Sequence, residues 1–200
     1  MKICLIAVLL ATISAAAQTE PTVPAAQTFH DRRSGVSFQV PAGWNLTSKD
    51  GEVSTFRLDA PSALKGAQMR AVASISFNPY PQSTFSGALF YASWIPGISE
   101  DQCVRQLPSS GSNPPPTRKI NNVLFSDGYD ERGRVCVETR DQIHLAINNH
   151  ACYRFDLVIN TFCGGEVSGA RDITPQQIDA VRKRLESILN TVTFDPRDIR

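Results

Sequence analysis

Five cysteines and three histidines carry most of the chemistry this sequence could offer. Cys103, Cys136, Cys152 and Cys163 lie in the second half of the chain and Cys4 at its start. The spacing contains no close cysteine pair of the kind that structural zinc sites use, so no metal site is assigned. An even set of four in an exported chain reads instead as two disulfides, and four cysteines allow three connectivities. The histidines are His30, His144 and His150. His144 falls in a predicted strand and His150 at its end, where Glu138, Asp141 and Asp156 stand near enough in sequence to combine with them across a hairpin. Acids on the polar face of a strand are commonplace, and no third metal ligand accompanies the histidines. Gly165-Glu166-Val167-Ser168-Gly169 approaches the nucleophile elbow of hydrolases but places the serine one position late. Neither a dinucleotide fingerprint, a P-loop nor a His-Glu-x-x-His helix occurs. The sequence therefore predicts a protein that is not an enzyme, with no catalytic residue, no cofactor and an unassigned binding site.

Composition narrows the partners. Twenty basic residues against nineteen acidic ones leave a formal charge of +1. That balance makes no electrostatic case for nucleic acid or an anionic membrane. Asn45-Leu46-Thr47 matches a glycosylation acceptor, relevant only in a host that glycosylates exported proteins.

The chain opens with Lys2, an apolar run from Ile3 to Ile13 and Ala15-Ala16-Ala17. This is the pattern of a secretory signal peptide over residues 1–17, cut before Gln18. The run is too short to span a bilayer, which takes about 20 apolar residues. Cys4 precedes the apolar core, whereas a lipid-modified cysteine would follow it. A secreted or periplasmic protein is expected, with no stable membrane insertion after cleavage.

The elements that must position these residues follow from periodicity. Residues 18–28 read as a flexible lead-in, and 29–200 as a single domain. Val36, Phe38 and Val40 alternate with Ser37 and Gln39, a half-buried strand. Pro41 and Gly43 then make a turn, and Trp44 restarts the apolar face, so Phe38, Val40 and Trp44 are expected in the core. Further strands are expected at 53–61, over Arg70–Tyr80, and over Thr84–Pro96 with an irregularity at Gly87. The aromatics Tyr80, Phe85, Phe90, Tyr91 and Trp94 are expected mostly in the core, the rival being a surface patch. Ser99 caps a short helical turn reaching Cys103. The segment 108–117, with three consecutive prolines, is a surface loop. Turns are expected at Asp127-Gly128 and at Glu131-Arg132-Gly133-Arg134. Two long strands, Val135–Asn149 and Cys152–Cys163, then fold about Asn148-Asn149-His150. Folding them antiparallel brings Cys136 opposite Cys163 and leaves Cys103 for Cys152.

The last element is a helix. Thr174 caps it, Pro175 opens it and Gln177 completes a capping box. Ile178, Val181, Leu185, Ile188 and Leu189 form one apolar stripe, with Arg182, Lys183 and Arg184 mostly off it. Asn190 ends it, and Thr191–Phe194 closes the chain as a short strand. The fold class is α+β: an antiparallel sheet with the C-terminal helix packed on it.

Two of these stretches carry a family likeness. The start, Gly35-Val-Ser-Phe-Gln-Val-Pro-Ala-Gly-Trp44, resembles that of PsbP-like domains of the PsbP/Mog type. The ending, a helix closing in Ile188-Leu-Asn-Thr-Val-Thr-Phe194, is similar to theirs. The resemblance implies an α/β/α sandwich around an antiparallel sheet. It also implies a protein that binds or supports a larger assembly. An unknown protein partner is the expectation. A small apolar ligand held between sheet and helix is the alternative, and a cell-envelope hydrolase the remaining one.

Overall fold

The computed structural model describes residues 22–52, 67–108 and 114–195. The signal peptide expected over residues 1–17, the strand expected at 53–61 and the centre of the proline-rich loop lie outside the described residues. Among the described residues, ten strands and three helices follow in the order β1 (Gln27–Asp31), β2 (Val36–Val40), β3 (Trp44–Thr47), β4 (Gln68–Ile75), β5 (Phe85–Pro96), α1 (Glu100–Val104), β6 (Thr117–Ile120), β7 (Val123–Arg134), β8 (Val137–Asn148), β9 (Ala151–Phe162), α2 (Gly165–Ser168), α3 (Pro175–Leu189) and β10 (Thr193–Phe194).

Seven strands form one antiparallel sheet in the order β3-β4-β5-β9-β8-β7-β6, with β9 near its centre. β9, with strands on both sides, is buried along nearly its whole length, its polar residues Arg154, Asp156 and Asn160 included. Its odd residues Tyr153, Phe155, Leu157 and Ile159 face α3, where Val181, Leu185, Ile188 and Leu189 meet them. A smaller sheet, β1-β2-β10, closes the same side, and Phe38 sets its ring edge-on to Phe90, 5.1 Å between centroids. Phe90–Phe155 and Phe155–Phe125 continue the ring contacts across the sheet. The two sheets are also tied by charge: the β4 register shifts between Met69 and Ala71, and Arg70 reaches Asp31 of β1 with two hydrogen bonds of 2.6 and 2.8 Å.

The core residues expected from the alternation, Phe38, Val40 and Trp44, are all buried. Phe85, Phe90 and Tyr91 are buried too, while Tyr80 and Trp94 pack partly buried against the core. Gly87 marks a register shift in β5. Ser99 and Thr174 both form complete capping boxes.

The strand expected over Arg70–Tyr80 ends at Ile75, short of Pro79, which has no amide to give a ladder. Two expected turns are also corrected. Asp127-Gly128 and Glu131–Arg134 are not turns; both lie inside β7, which pairs with β8 from Phe125↔Ala146 to Arg134↔Val137. The turns fall at Asn121-Asn122 and at Val135-Cys136 instead. Asn121 and Asn122 have φ of 45° and 67°, and Asn149 and His150 have 48° and 55°. Positive φ at both central residues is the two-residue turn whose twist matches a hairpin, and asparagine tolerates it. In Asp127-Gly128 the ladder on both sides outweighs the local turn preference.

Candidate functional site

Alternation sends neighbouring side chains of β8 to opposite faces of the sheet. This builds two separate ionisable clusters. On the face toward α3, His144 Nδ1 lies 2.7 Å from Asp127 Oδ1 across the β7–β8 ladder. Against a carboxylate the ring nitrogen must donate, so Nδ1 carries a proton. Arg118 Nε donates to Asp127 Oδ2 at 2.6 Å, and its Nη1 stands 4.0 Å from Glu186 of α3. Burial pushes the Asp127 carboxyl up, but the hydrogen bonds from His144 and Arg118 outweigh it and hold the group below the usual carboxylate range. His144 is 1% exposed, and its Nε2 is buried with no hydrogen-bond partner among the described residues. An Asp–His pair of this kind orients an imidazole. Here the free nitrogen points into protein.

On the other face, Asp141, Arg154 and Asp156 are 1%, 2% and 0% exposed. Arg154 Nε donates to Asp156 Oδ1 at 2.8 Å, and Nη2 lies 2.6 Å from the same oxygen. Asp141 Oδ2 is 3.9 Å from that Nη2. Burial raises the Asp141 carboxyl well above its ordinary range, and the neighbouring Asp156 charge adds to the rise. Both effects favour the protonated form of Asp141, in which the trio carries less charge. Asp141 Oδ1, Asp156 Oδ2 and Arg154 Nη1 of the trio, and the nearby Asn160 Nδ2, have no hydrogen-bond partner among the described residues.

The sequence-predicted candidates thus divide. Asp141 and Asp156 come together, but not with His144, which is on the opposite face. Glu138 is exposed and pairs with Arg140 at 2.8 Å. His150 is exposed in the hairpin turn, and His30 hydrogen-bonds Ser37 Oγ at 2.7 Å on the surface. Asp127, Arg118 and Arg154 were missed. A lone arginine amid the apolar alternation of β9 was the available signal for Arg154. Asn45 of the glycosylation motif is exposed on β3.

The disulfides sit at opposite ends of β9. Cys103 bonds Cys152, tying α1 to the sheet, and Cys136 bonds Cys163 at the far end of the β8–β9 ladder. Beside the second is a groove of about 350 Å³, lined by Thr84, Glu138, Arg140, Thr161, Asp172 and Ile178. On the opposite face a smaller groove of about 200 Å³ runs between α1 and β7, lined by Val104, Leu124, Leu145 and Ile147 with Glu100 and Ser126. Leu124 is 61% exposed there.

No family model matches the chain, and no curated protein does. Among solved structures it is similar to a protein from Bacteroides thetaiotaomicron VPI-5482, with a TM-score of 0.48 and 12% identity over 85% of this chain and 48% of that one. The chain thus spans about half the length of the Bacteroides protein. It is also similar to cyanobacterial PsbP from Synechocystis sp. PCC 6803, with a TM-score of 0.46 and 13% identity over 90% of this chain and 99% of that one. The α+β class rests on the sheet and the C-terminal helix described above.

Proposed function

We propose that this chain is an exported, non-catalytic binding module that engages a protein partner. The observation that carries the reading is the groove between α1 and β7. It presents Leu124, Val104 and Ile147 at the surface, over a base fastened by Cys103–Cys152. Its volume of about 200 Å³ suits one or two apolar side chains of a partner. It is below the roughly 300–1,000 Å³ of small-molecule sites. The non-catalytic part is supported by placement: His144 and the Asp141–Asp156 pair lie on opposite faces, each buried in its own cluster. Val181, Leu185, Ile188 and Leu189 of α3 belong to one buried cluster with Phe90, Phe155 and Leu157 of the sheet, packing that weighs against the apolar-carrier alternative. Export is supported by the pattern of residues 1–17 and by two disulfides, bonds that persist in oxidising compartments. No helix among the described residues is long and apolar enough to cross a membrane.

A photo-crosslinking residue at position 124, expressed in an exporting host, tests this. One discrete adduct is expected from position 124 and none from position 183 on α3. A second, partner-facing Val104→Asp change should abolish that adduct. Crosslinking that is equal at both positions would overturn the reading. So would turnover of envelope polymer by the pure protein that disappears in a folded His144→Ala variant. Native mass spectrometry of the same preparation distinguishes the carrier alternative by a bound apolar ligand.

A further inference from the structure

The two disulfides live in different surroundings. Cys103 and Cys152 are each 1% exposed, and Gln106 Nε2 donates to Cys152 Sγ at 2.9 Å. Cys136 is exposed and Cys163 half-buried, both at the rim of the groove formed by Glu138, Arg140 and Asp172. Cys136 also occupies a two-residue hairpin turn beside Val135, which is 96% exposed, and has φ of +66°. Glycine or asparagine is the ordinary choice at such a position. A cysteine there is explained by the bond it makes and not by the turn it must form.

We propose that Cys136–Cys163 is a thiol-exchange site for a low-molecular-weight monothiol of the glutathione class, while Cys103–Cys152 is a permanent staple. The thiolate attacks Sγ of Cys136, the more exposed of the two residues; a new S–S bond forms there and the bond to Cys163 breaks, leaving Cys163 as the thiolate. A second monothiol attacks the sulfur of the first in this mixed disulfide and releases Cys136. Two external thiols are thereby oxidised to one disulfide, and their two protons and two electrons end on Cys136 and Cys163. The protein remains folded through this cycle. The β8–β9 ladder begins at Val137↔Phe162, next to the bridge, and runs to Asn148↔Ala151, so it holds the strands in register without the bond. What changes is the tip: the Val135-Cys136 turn is then held to the end of β9 by the Cys163 amide donating to the Cys136 carbonyl at 3.3 Å and no longer by a covalent bond, so the rim of the groove loosens. This inference stands on the exposure and position of the cysteines and does not depend on the partner reading.

Its test uses the intact oxidised chain with graded reduced glutathione, quenched by alkylation and read by peptide mapping, with circular dichroism on the same samples. Cys136 and Cys163 are expected to become alkylated at least about tenfold faster than Cys103 and Cys152, at concentrations that leave the spectrum unchanged. The glutathione adduct is expected on Cys136 in preference to Cys163. Opening of both pairs together, or only as the spectrum collapses, would overturn the proposal, as would an adduct confined to Cys163. A Cys163→Ser variant should accumulate the adduct on Cys136 from oxidised glutathione; the wild-type rates decide the question whether or not that variant folds.

Discussion

His144 and Asp141 stand three residues apart on β8 and point to opposite faces of the sheet. The odd separation puts one carboxyl with Arg154 and Asp156, and the imidazole with Asp127 beneath α3. A sheet one strand-layer thick thus keeps apart two groups that linear spacing places together. The chemistry of each is set by its own face.

The trio predicts unequal costs for two similar substitutions. Asp156 carries the charge that answers Arg154, so Asp156→Asn leaves a buried guanidinium uncompensated and should cost about 3–5 kcal/mol. Burial and the neighbouring Asp156 charge favour the protonated form of Asp141, so Asp141→Asn should cost less, under about 1 kcal/mol. Urea unfolding of the two variants checks the order. The reverse order would place the proton on Asp156.

Acid and alkaline limbs of stability should respond to different carboxyls. Hydrogen bonds from Arg70 hold Asp31 well below the usual range. The folded state then binds fewer protons there than the unfolded chain, whose aspartates titrate near about 3.9, so stability from Asp31 is present above that value and lost as pH falls below it. Asp141 has the opposite sign. Burial and Asp156 raise it, the folded state binds more protons, and stability declines as pH rises from about 4 toward its folded value. Asp31→Asn should flatten the acid limb and Asp141→Asn the decline above it, read as the urea midpoint across pH.

The disulfides should differ in weight. The Cys103–Cys152 bond closes a separation of 49 residues and supplies Gln106 with its acceptor. Replacing both cysteines by serine should cost about 4 kcal/mol. The Cys136–Cys163 bond adjoins a ladder that already pairs its strands, so its double serine variant should lose less. Peptide mapping without reduction should return these two linkages; a Cys136–Cys152 peptide would contradict the Val137↔Phe162 register.

What could be read in advance was whatever is local or symmetric. Thr174-Pro175-Gln177 declares a helix start by its own hydrogen bonds, and Val36-Phe38-Val40 declares a half-buried strand by alternation. The Cys136–Cys163 pairing follows from symmetry about one hairpin turn. Two things could not be read in this way. Asp127-Gly128 has the composition of a turn and the environment of a strand, and only the neighbouring β8 decides between them. The partners of His144 and Arg154 depend on which face each residue takes, and that depends on the placement of those turns. Moving the hairpin tip from Glu131–Arg134 to Val135-Cys136 extends β7 and brings Asp127 opposite His144.

The cap of α3 offers a graded test of how the helix-side core is held. Thr174 Oγ1 accepts from the Gln177 amide at 3.2 Å, and Gln177 Oε1 accepts from the Thr174 amide at 2.9 Å. Thr174→Ala removes one side of this exchange and should cost about 1 kcal/mol, while Thr174→Ser keeps the hydroxyl and should stay near neutral. Leu185 lies fully buried between α3 and the sheet, so Leu185→Ala should cost about 2–5 kcal/mol through lost burial and the cavity left behind. Guanidinium unfolding of the three variants should give serine, alanine cap and Leu185→Ala in rising order of damage. If the cap variant proved as costly as the core variant, α3 would owe its position to its first turn. Packing against Phe155 and Leu157 assigns that role to the apolar stripe.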